Sequence, residues 1–482
     1  MMKKANARVV WLAPLCLVLA ACAVGPDYHR PEPVLPAHFS APGAVSVAAP
    51  QAAWWRAFGD AELDRLVDEA LGRNFDLQAA WARVRQARAQ RGVAAGSDWP
   101  QVNASAQESR DNWSLNGEQF ANLPPTLIPH PRHEFTDDRI GASASWEIDL
   151  FGYNARTIEA ATARLGSREE AAHATALAVA AEVAGDYLDL RALDERLRAA
   201  DRARAVAAET LRLTRLQRAA GLVGDIDVAL AEQAWRNAAA QLPPFEAARR
   251  ADLDNLALLV GRAPHALDAE LAPRPGLPDV SGVIGVGVPS DLLLRRPDIR
   301  QAERELAAAN AEVGQAVAAQ YPRFSLSAAI GFDSIYQGSL TGTASRYWNA
   351  GPSLTLPLFA GGSLRAGVQA NEAARDAALA AYRQTVLRAL ADSESALMRV
   401  DRSTARVREL DAAEQSAAQA LALMQRRVSA GDAAELDALQ ADSRLQQARD
   451  AAVLAYAERA QALVALYRAL GGGWTEAPEP AR

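Results

Sequence analysis

Aligned with itself, the sequence matches in one unbroken order from its first part to its last. Asn74-Phe75-Asp76-Leu77 falls on Arg296-Pro297-Asp298-Ile299, and Trp99-Pro100 on Tyr321-Pro322, both at an offset of 222. Leu150-Phe151 falls on Leu358-Phe359 at 208; Ala220-Gly221 on Ala430-Gly431, Asp227 on Asp437, and Gly261 on Gly471 at 210. The chain is therefore one architecture written twice. Two copies are too few for a solenoid, whose stacked units each need neighbours on both sides. The divisions that follow are a leader over 1–21, an anchored segment over 22–59, a first repeat over 60–264, a Pro/Gly-rich linker over 265–289, a second repeat over 290–474 and a tail over 475–482.

Each repeat reads helix, strand, loop, strand, very long helix, turn, helix. Residues 159–220 and 364–430 contain no proline, and hold only Gly166 and Gly185, and Gly367, respectively. At about 1.5 Å per residue, these are rods of roughly 90 to 100 Å. Along the first, Leu193, Leu197, Ala200, Ala203, Ala207, Leu211 and Thr214 are spaced by threes and fours; along the second, Leu379, Tyr382, Val386, Leu390, Ser393, Leu397 and Val400 do the same. Small residues on such a seam let helix axes approach closely, while charged residues keep the other face wet. This pattern alone also fits a plain antiparallel coiled coil. Pro243-Pro244 predicts a break in the first returning helix; adding 210 reaches Val453 and Leu454, so the second returning helix should run through.

Between the helices the period changes to two. In the second such segment Ile140, Ala142, Ala144, Trp146, Ile148 and Leu150 alternate with Gly141, Ser143, Ser145, Glu147 and Asp149; in the third Phe324, Leu326, Ala328, Ile330 and Phe332 alternate with small and polar residues. The first (Val102, Ala104, Ala106) and fourth (Trp348, Ala350, Leu354, Leu356) follow suit, with a loop over 111–136 between the first two and Pro352 inside the fourth, where a missing donor calls for a bulge or bend. Ten-residue segments with one apolar face and aromatic ends suit membrane strands between lipid and a wet lumen; a half-buried soluble sheet has the same period. Four strands cannot close a barrel, and open edges in hydrocarbon leave backbone groups unpaired, so the chain must oligomerise. A dimer of eight strands and a trimer of twelve both satisfy this.

Lys3, Lys4 and Arg8 precede an apolar run from Val9 to Ala20 that is too short to span a bilayer, the form of an export signal. Leu19-Ala20-Ala21-Cys22 fits lipoprotein processing, with Cys22 acylated at the new amino terminus, and Ala23 in place of an aspartate directs the chain to the outer membrane. Cys16 leaves with the leader, so no internal disulfide forms. Without the leader the chain has 48 basic and 58 acidic groups, a balance of −10, and no basic run with interleaved aromatics, which argues against nucleic acid. Six scattered histidines (His29, His38, His130, His133, His173, His265) offer no metal spacing, and no nucleophile-elbow, zinc-protease or phosphate-loop motif occurs. The chain reads as no enzyme, with no cofactor beyond the lipid on Cys22.

The sequence resembles the outer-membrane factors of tripartite pumps, in the lipidated branch that partners RND-type transporters. The likeness rests on Gly25-Pro26-Asp27-Tyr28 with Pro31, on Trp54-Trp55, on Val288-Pro289-Ser290-Asp291-Leu292-Leu293 running into Arg295-Arg296-Pro297-Asp298-Ile299, and on Leu470-Gly471-Gly472-Gly473-Trp474. It implies an α+β membrane protein: a homotrimer with a twelve-stranded outer-membrane β-barrel continuous with a twelve-helix periplasmic α-barrel. It further implies a belt built from residues 30–60, 245–300 and the carboxyl-terminal tail, and docking on a periplasmic adaptor and an inner-membrane RND-type transporter. The function implied is a passive exit duct for small molecules such as drugs or toxic compounds. Alternatives are a duct for type I protein secretion and a non-conducting periplasmic coiled-coil scaffold lipoprotein.

Gly221 and Gly431 should end the long helices at the periplasmic mouth. Six residues beyond each lies a carboxylate, Asp227 and Asp437, and the resemblance places an inward-facing aspartate ring at Asp437. Gln440 stands where some relatives have a second acid and Ala433 where some have a latching arginine, so that form of latch is missing; Asp442 completes the gate candidates.

Overall fold

A computed structural model describes residues 23–40, 45–46, 53–115, 133–278, 284–285, 287–336 and 338–472. Cys22, His130 and the tail over 475–482 lie outside these. In chain order the elements are a parallel two-residue pairing of β1 (Val45–Ser46) with β4 (Ile284–Gly285), helices α1 (Ala61–Arg73) and α2 (Phe75–Ala95), strands β2 (Gln101–Asn112) and β3 (Glu134–Ile148), and helices α3 (Tyr153–Ala219), α4 (Asp225–Ala240) and α5 (Leu242–Leu259). After the linker come a short α6 (Leu292–Arg295), α7 (Pro297–Ala318), β5 (Arg323–Ser334), β6 (Arg346–Thr355), α8 (Ser363–Ser429) and α9 (Glu435–Ala469). The fold is α+β, and its two halves repeat the same element order. Both long helices, α3 and α8, are 67 residues, and every seam position named above is buried or half-buried. No described helix is long and apolar enough to cross a membrane.

The residues that betrayed the repeat hold equivalent places. Asn74 Nδ2 donates to the Leu259 carbonyl (3.0 Å), and its counterpart Arg296 donates from Nη1 to the Ala469 carbonyl (3.0 Å). Each bond ties the end of a returning helix to the start of α2 or α7. Just beyond, Gly261 (φ +73°) and Gly471 (φ +71°) turn left-handed, and a Cβ on either would come within 2.9 Å of a carbonyl oxygen, that of Arg73 or Arg295. Only glycine fits such a close approach at positive φ.

Chain contacts group into two compact units that cut across both repeats: one comprises residues 1–30, 86–165 and 304–379, the other the rest. The first unit holds the four-stranded sheet, in the order β2-β3-β5-β6, antiparallel throughout. Two expectations need correction. The segment 111–136 is not all loop: β2 and β3 remain paired to Asn112↔Glu134, where Trp113 packs edge-on against Phe135 (5.0 Å) and Arg110 pairs with Glu134 (2.6 Å). Pro352 causes no bulge, since β5 and β6 pair one to one from Arg323↔Thr355 to Phe332↔Arg346; an edge strand tolerates a missing donor.

The second unit carries the apolar cores. Trp54 is fully buried, stacks on Tyr467 (5.2 Å, 13°) and joins Phe58, Leu63, Leu66, Tyr187, Leu256 and Leu463. Burying each such large side chain contributes about 1.5 to 3 kcal/mol. A second core gathers Leu292, Ile299, Tyr382, Val386, Leu397 and Leu466, with Leu35 and Phe39 packed on it. The linker between repeats is strapped to this unit by charge. Asp194, with a fully buried side chain, accepts from Arg191 (3.1 Å) and Arg249 (2.7 Å), and these donate onward to the carbonyls of Ala272 (3.2 Å) and Leu271 (2.8 Å). Asp60, the N-cap of α1, accepts from the Tyr187 hydroxyl (2.8 Å) and pairs with Arg274. As expected, Pro243-Pro244 opens a new helix, α5, so the first return is broken after Ala240 while α9 runs unbroken for 35 residues.

Candidate functional site

The sheet register brings the apolar residues of all four strands onto one face. Val102 lies opposite Ala144, Ala144 opposite Ala328 and Ala328 opposite Ala350; one rung on, Ala142 meets Ile330 and Ile330 meets Trp348. This face is bare: Val102, Ile140, Ile330, Trp348 and Leu354 are all exposed, Trp348 to 77%. A lone exposed apolar side chain means little, but a continuous apolar sheet face marks a surface that water does not cover. The other face is polar. Glu147 pairs with Arg323 (2.6 Å), Asp333 with Arg139 (2.8 Å), and the hydroxyls of Ser325 and Ser353 meet at 3.0 Å. Among the described residues the two outer strands, β2 and β6, have one neighbour each.

Within the same unit the residues that follow Cys22 are seated closely. Val24 N–H donates to the Phe151 carbonyl (3.1 Å), and Asn310 donates to the Pro26 carbonyl (3.0 Å). The nearly buried Arg156 donates to Asp27 (2.8 Å), holding that carboxyl below the usual carboxylate range. Gly25 (φ +94°) lies against Gly314, where a Cβ would come within 2.5 Å of the Gly314 Cα.

In the second unit the helix turns close as the glycines require. Gly221 (φ +75°) and Gly431 (φ +80°) donate to the carbonyls of Arg218 and Val428 (3.0 Å each), and the next residues, Leu222 and Asp432, donate to Gln217 and Arg427 (2.9 Å each). This double bond pattern satisfies carbonyls that a helix end leaves open. Asp227 and Asp437 both occupy the third position of the returning helix. Their carboxylates accept the N–H of Gly224 (2.8 Å) and of Ala434 (3.0 Å), residues whose side chains cannot cap. A negative charge there also meets the positive end of the helix dipole. Asp227, Asp437 and Gln440 are exposed.

Asp442 differs from the other three. It is 5% exposed and accepts from Arg202 Nη2 (2.9 Å) and from Gln446 (2.7 Å). Arg202 belongs to α3 and Asp442 to α9, so this ion pair joins the first repeat to the second; Arg196 and Asp450 repeat the link two turns along (2.8 Å). Both ties lie beside a groove of about 580 Å³ lined by α3, α8 and α9, including Arg198, Glu414 and Arg449. Sequence reading missed Arg202, whose partner is 240 residues away. No local spacing announces it.

Among known proteins, the family model described as "Outer membrane efflux protein" matches residues 66–262 and 288–472, one segment in each repeat. The chain belongs to the outer membrane efflux protein family. It is similar to the pyoverdine export outer membrane protein OpmQ of Pseudomonas aeruginosa, 34% identical over 466 residues that cover 96% of each chain. Outer membrane protein OprJ of the same organism is 35% identical over 473 residues, covering 96% of this chain and 95% of OprJ. The solved structure of the outer-membrane channel OprN superposes with a TM-score of 0.83 at 33% identity, covering 94% of this chain and all of OprN. This outer membrane efflux protein is thus an outer-membrane duct that extends into the periplasm, and its family is one of transport channels, not enzymes. The resemblance read from the N-terminal and Arg-Pro-Asp motifs is borne out.

Proposed function

We propose that this efflux protein works as a homotrimer, a passive exit duct in which twelve strands close a barrel and twelve long helices line a periplasmic tunnel. The observation that carries this reading is the sheet: one face continuously apolar, the other polar, and two outer strands without a second neighbour among the described residues. In hydrocarbon those edges must pair, and only closure with further copies pairs them all. The apolar face meets lipid, and Glu147, Arg139, Arg323 and Asp333 face a wet lumen. An acyl chain on Cys22 anchors the protein beside the seat formed by Arg156, Asn310 and Gly314.

Such a duct holds no energy source, so a periplasmic adaptor and an inner-membrane transporter of the RND type supply direction. The cargo is small organic molecules, in keeping with OpmQ, whose name records pyoverdine export. At the periplasmic mouth the turns at Gly221 and Gly431 present Asp227 and Asp437 as rings of charge that favour cations, with Gln440 one turn on. Asp442, held by Arg202, ties the two repeats below that ring.

Purified protein in planar bilayers tests the reading. Cation-preferring conductance is expected, together with an oligomer on gels that dissociates only on heating, and Asp437→Asn should lower the preference for cations. A monomer that never conducts, where a relative does so under the same conditions, refutes it.

A further inference from the structure

The helix junctions of the two repeats are built alike but charged differently. Where α9 ends against the start of α7, a groove of about 420 Å³ opens between α3, α7, α8 and α9. Its charged lining is three arginines, Arg296, Arg399 and Arg468, against two aspartates, Asp298 and Asp392. Arg296 is structural: its side chain, 11% exposed, pairs with both aspartates (2.7 and 3.3 Å) and donates to the Ala469 carbonyl. That leaves Arg399 on α8 and Arg468 on α9, both exposed, whose guanidinium groups have no ion pair or hydrogen bond among the described residues. The fold does not call for them. The offset of 210 that carries Gly471 to Gly261 carries Arg468 to Leu258, and Arg296 answers to Asn74, so the first repeat makes the same junction with an amide and an apolar side chain. The larger groove beside Asp442 gives the contrast. There Arg198, Arg202 and Arg449 each have a carboxylate: Glu195, Asp442 (2.9 Å) and Glu414 (3.2 Å).

We propose that this groove binds soluble organic monoanions, compounds with one carboxylate or sulfonate head and an apolar body. The head meets Arg399 and Arg468, whose planar forks match such oxygens two at a time. The body lies on the apolar part of the wall, formed by Ala174, Leu177, Ala396 and Ala465. A volume of this size suits a small organic molecule. Charge sets the stoichiometry: three arginines against two aspartates leave one positive charge, which a single anionic head neutralises. Because the spare arginines stand at this junction and not at its twin, each chain carries the site once. Its use as a resting place for anionic cargo on the way out rests on the exit-duct reading above; the binding itself does not.

Titration calorimetry on the full-length protein in detergent tests it, with naphthalene-2-sulfonate as the probe. One site per chain is expected, and the uncharged naphthalene-2-sulfonamide should bind at least about tenfold more weakly. Arg399→Gln and Arg468→Gln should each weaken sulfonate binding by at least about fivefold, while Arg449→Gln, in the groove whose arginines are paired, should leave it unchanged. Both arginines are exposed, so neither substitution disturbs a buried core. Equal binding of sulfonate and sulfonamide, or equal losses in Arg449→Gln and Arg468→Gln, overturns the site. Binding that appears only after Glu476→Gln/Glu479→Gln gives the groove to the chain's own tail, and displacement by phosphatidylglycerol but not by benzoate gives it to a lipid headgroup; either result overturns the proposal. In planar bilayers the sulfonate should block conductance less in Arg399→Gln/Arg468→Gln than in the parent protein. A protein that never conducts removes the exit duct and leaves the calorimetric answer standing.

Discussion

Replacing Arg202 by alanine should disturb the efflux protein more than neutralising the carboxylate it meets. The Arg202 side chain is 61% exposed and that of Asp442 only 8%, so the two partners have unequal alternatives. Losing the guanidinium leaves a buried carboxylate that, among the described residues, keeps the Gln446 amide as a donor (2.7 Å). A hydrogen bond to a charged group is worth about 1.5 to 3 kcal/mol, and the half-solvated arginine discounts that to about 1 to 2 kcal/mol for Arg202→Ala. Asp442→Asn keeps the contact with Gln446 and lets Arg202 return to water, at a cost below about 1 kcal/mol. The double variant should then be no worse than Arg202→Ala alone, because the uncompensated charge is gone. If the tie belongs to the resting mouth, 1 to 2 kcal/mol corresponds to a shift of roughly fivefold to thirtyfold toward the open state. Single-channel recordings of the three variants measure that ratio as open dwell time. Equal openings in Arg202→Ala and the parent protein, or a larger effect from Asp442→Asn than from Arg202→Ala, would refute the reasoning.

Asp252 and Asp186 set up a pH dependence. Burial, with Asp186 and Asp189 nearby, pushes Asp252 up to about 7, and burial with Glu182 and Asp189 pushes Asp186 up to about 6, while Oδ2 of Asp252 is buried without a hydrogen-bond partner. The folded chain thus holds protons that the unfolded chain has released, so stability is full below about pH 4 for these groups and falls as pH rises through 6 to 7. Asp252→Asn should raise the thermal stability at pH 8 by about 1 to 2 kcal/mol after allowance for partial exposure, with no gain at pH 4, as thermal melts at both values would show. Gly471→Ala forces a side chain to within 2.9 Å of the Arg295 carbonyl at φ +71° and should cost at least about 1 to 2 kcal/mol, read as a lower melting temperature; Gly59→Ala, with positive φ but open space, should cost less. Asp194→Ala leaves Arg191 and Arg249 facing a buried gap and should cost about 3 to 5 kcal/mol, measured as lost folded yield or as early proteolysis within the linker between the repeats.

Much of the wall was legible because strand alternation and sheet register share one period. Ile140, Ala142 and Ala144 fall on the same face as Ile330 and Ala328 whichever even register is chosen, so the two-faced sheet follows from sequence order. The ends of the strands were less legible, since the paired stretch near Asn112 and Glu134 has lost the alternation and is held by Arg110 and Trp113. The helix turns were readable from Gly221 and Gly431, but the bonds of Asp227 and Asp437 were not. A capping box is recognised by a hydroxyl or carboxylate at its first position, and Gly224 and Ala434 leave only the second half of it.

The amino-acid order by itself determined two copies of one plan, two very long unbroken helices over 159–220 and 364–430, and four ribbons whose edges demand partners. These are properties of backbone periodicity, proline placement and hydrogen-bond satisfaction, all of which act over a few residues. Only the tertiary structure decided that Arg202 meets Asp442, that Asp194 straps the linker, and that Phe151 stacks on Tyr321, half-buried, while its twin Phe359 is bare. Such pairings join residues far apart in the chain, and equal local sequences receive unequal neighbours because, within one chain, each half meets the other along one side.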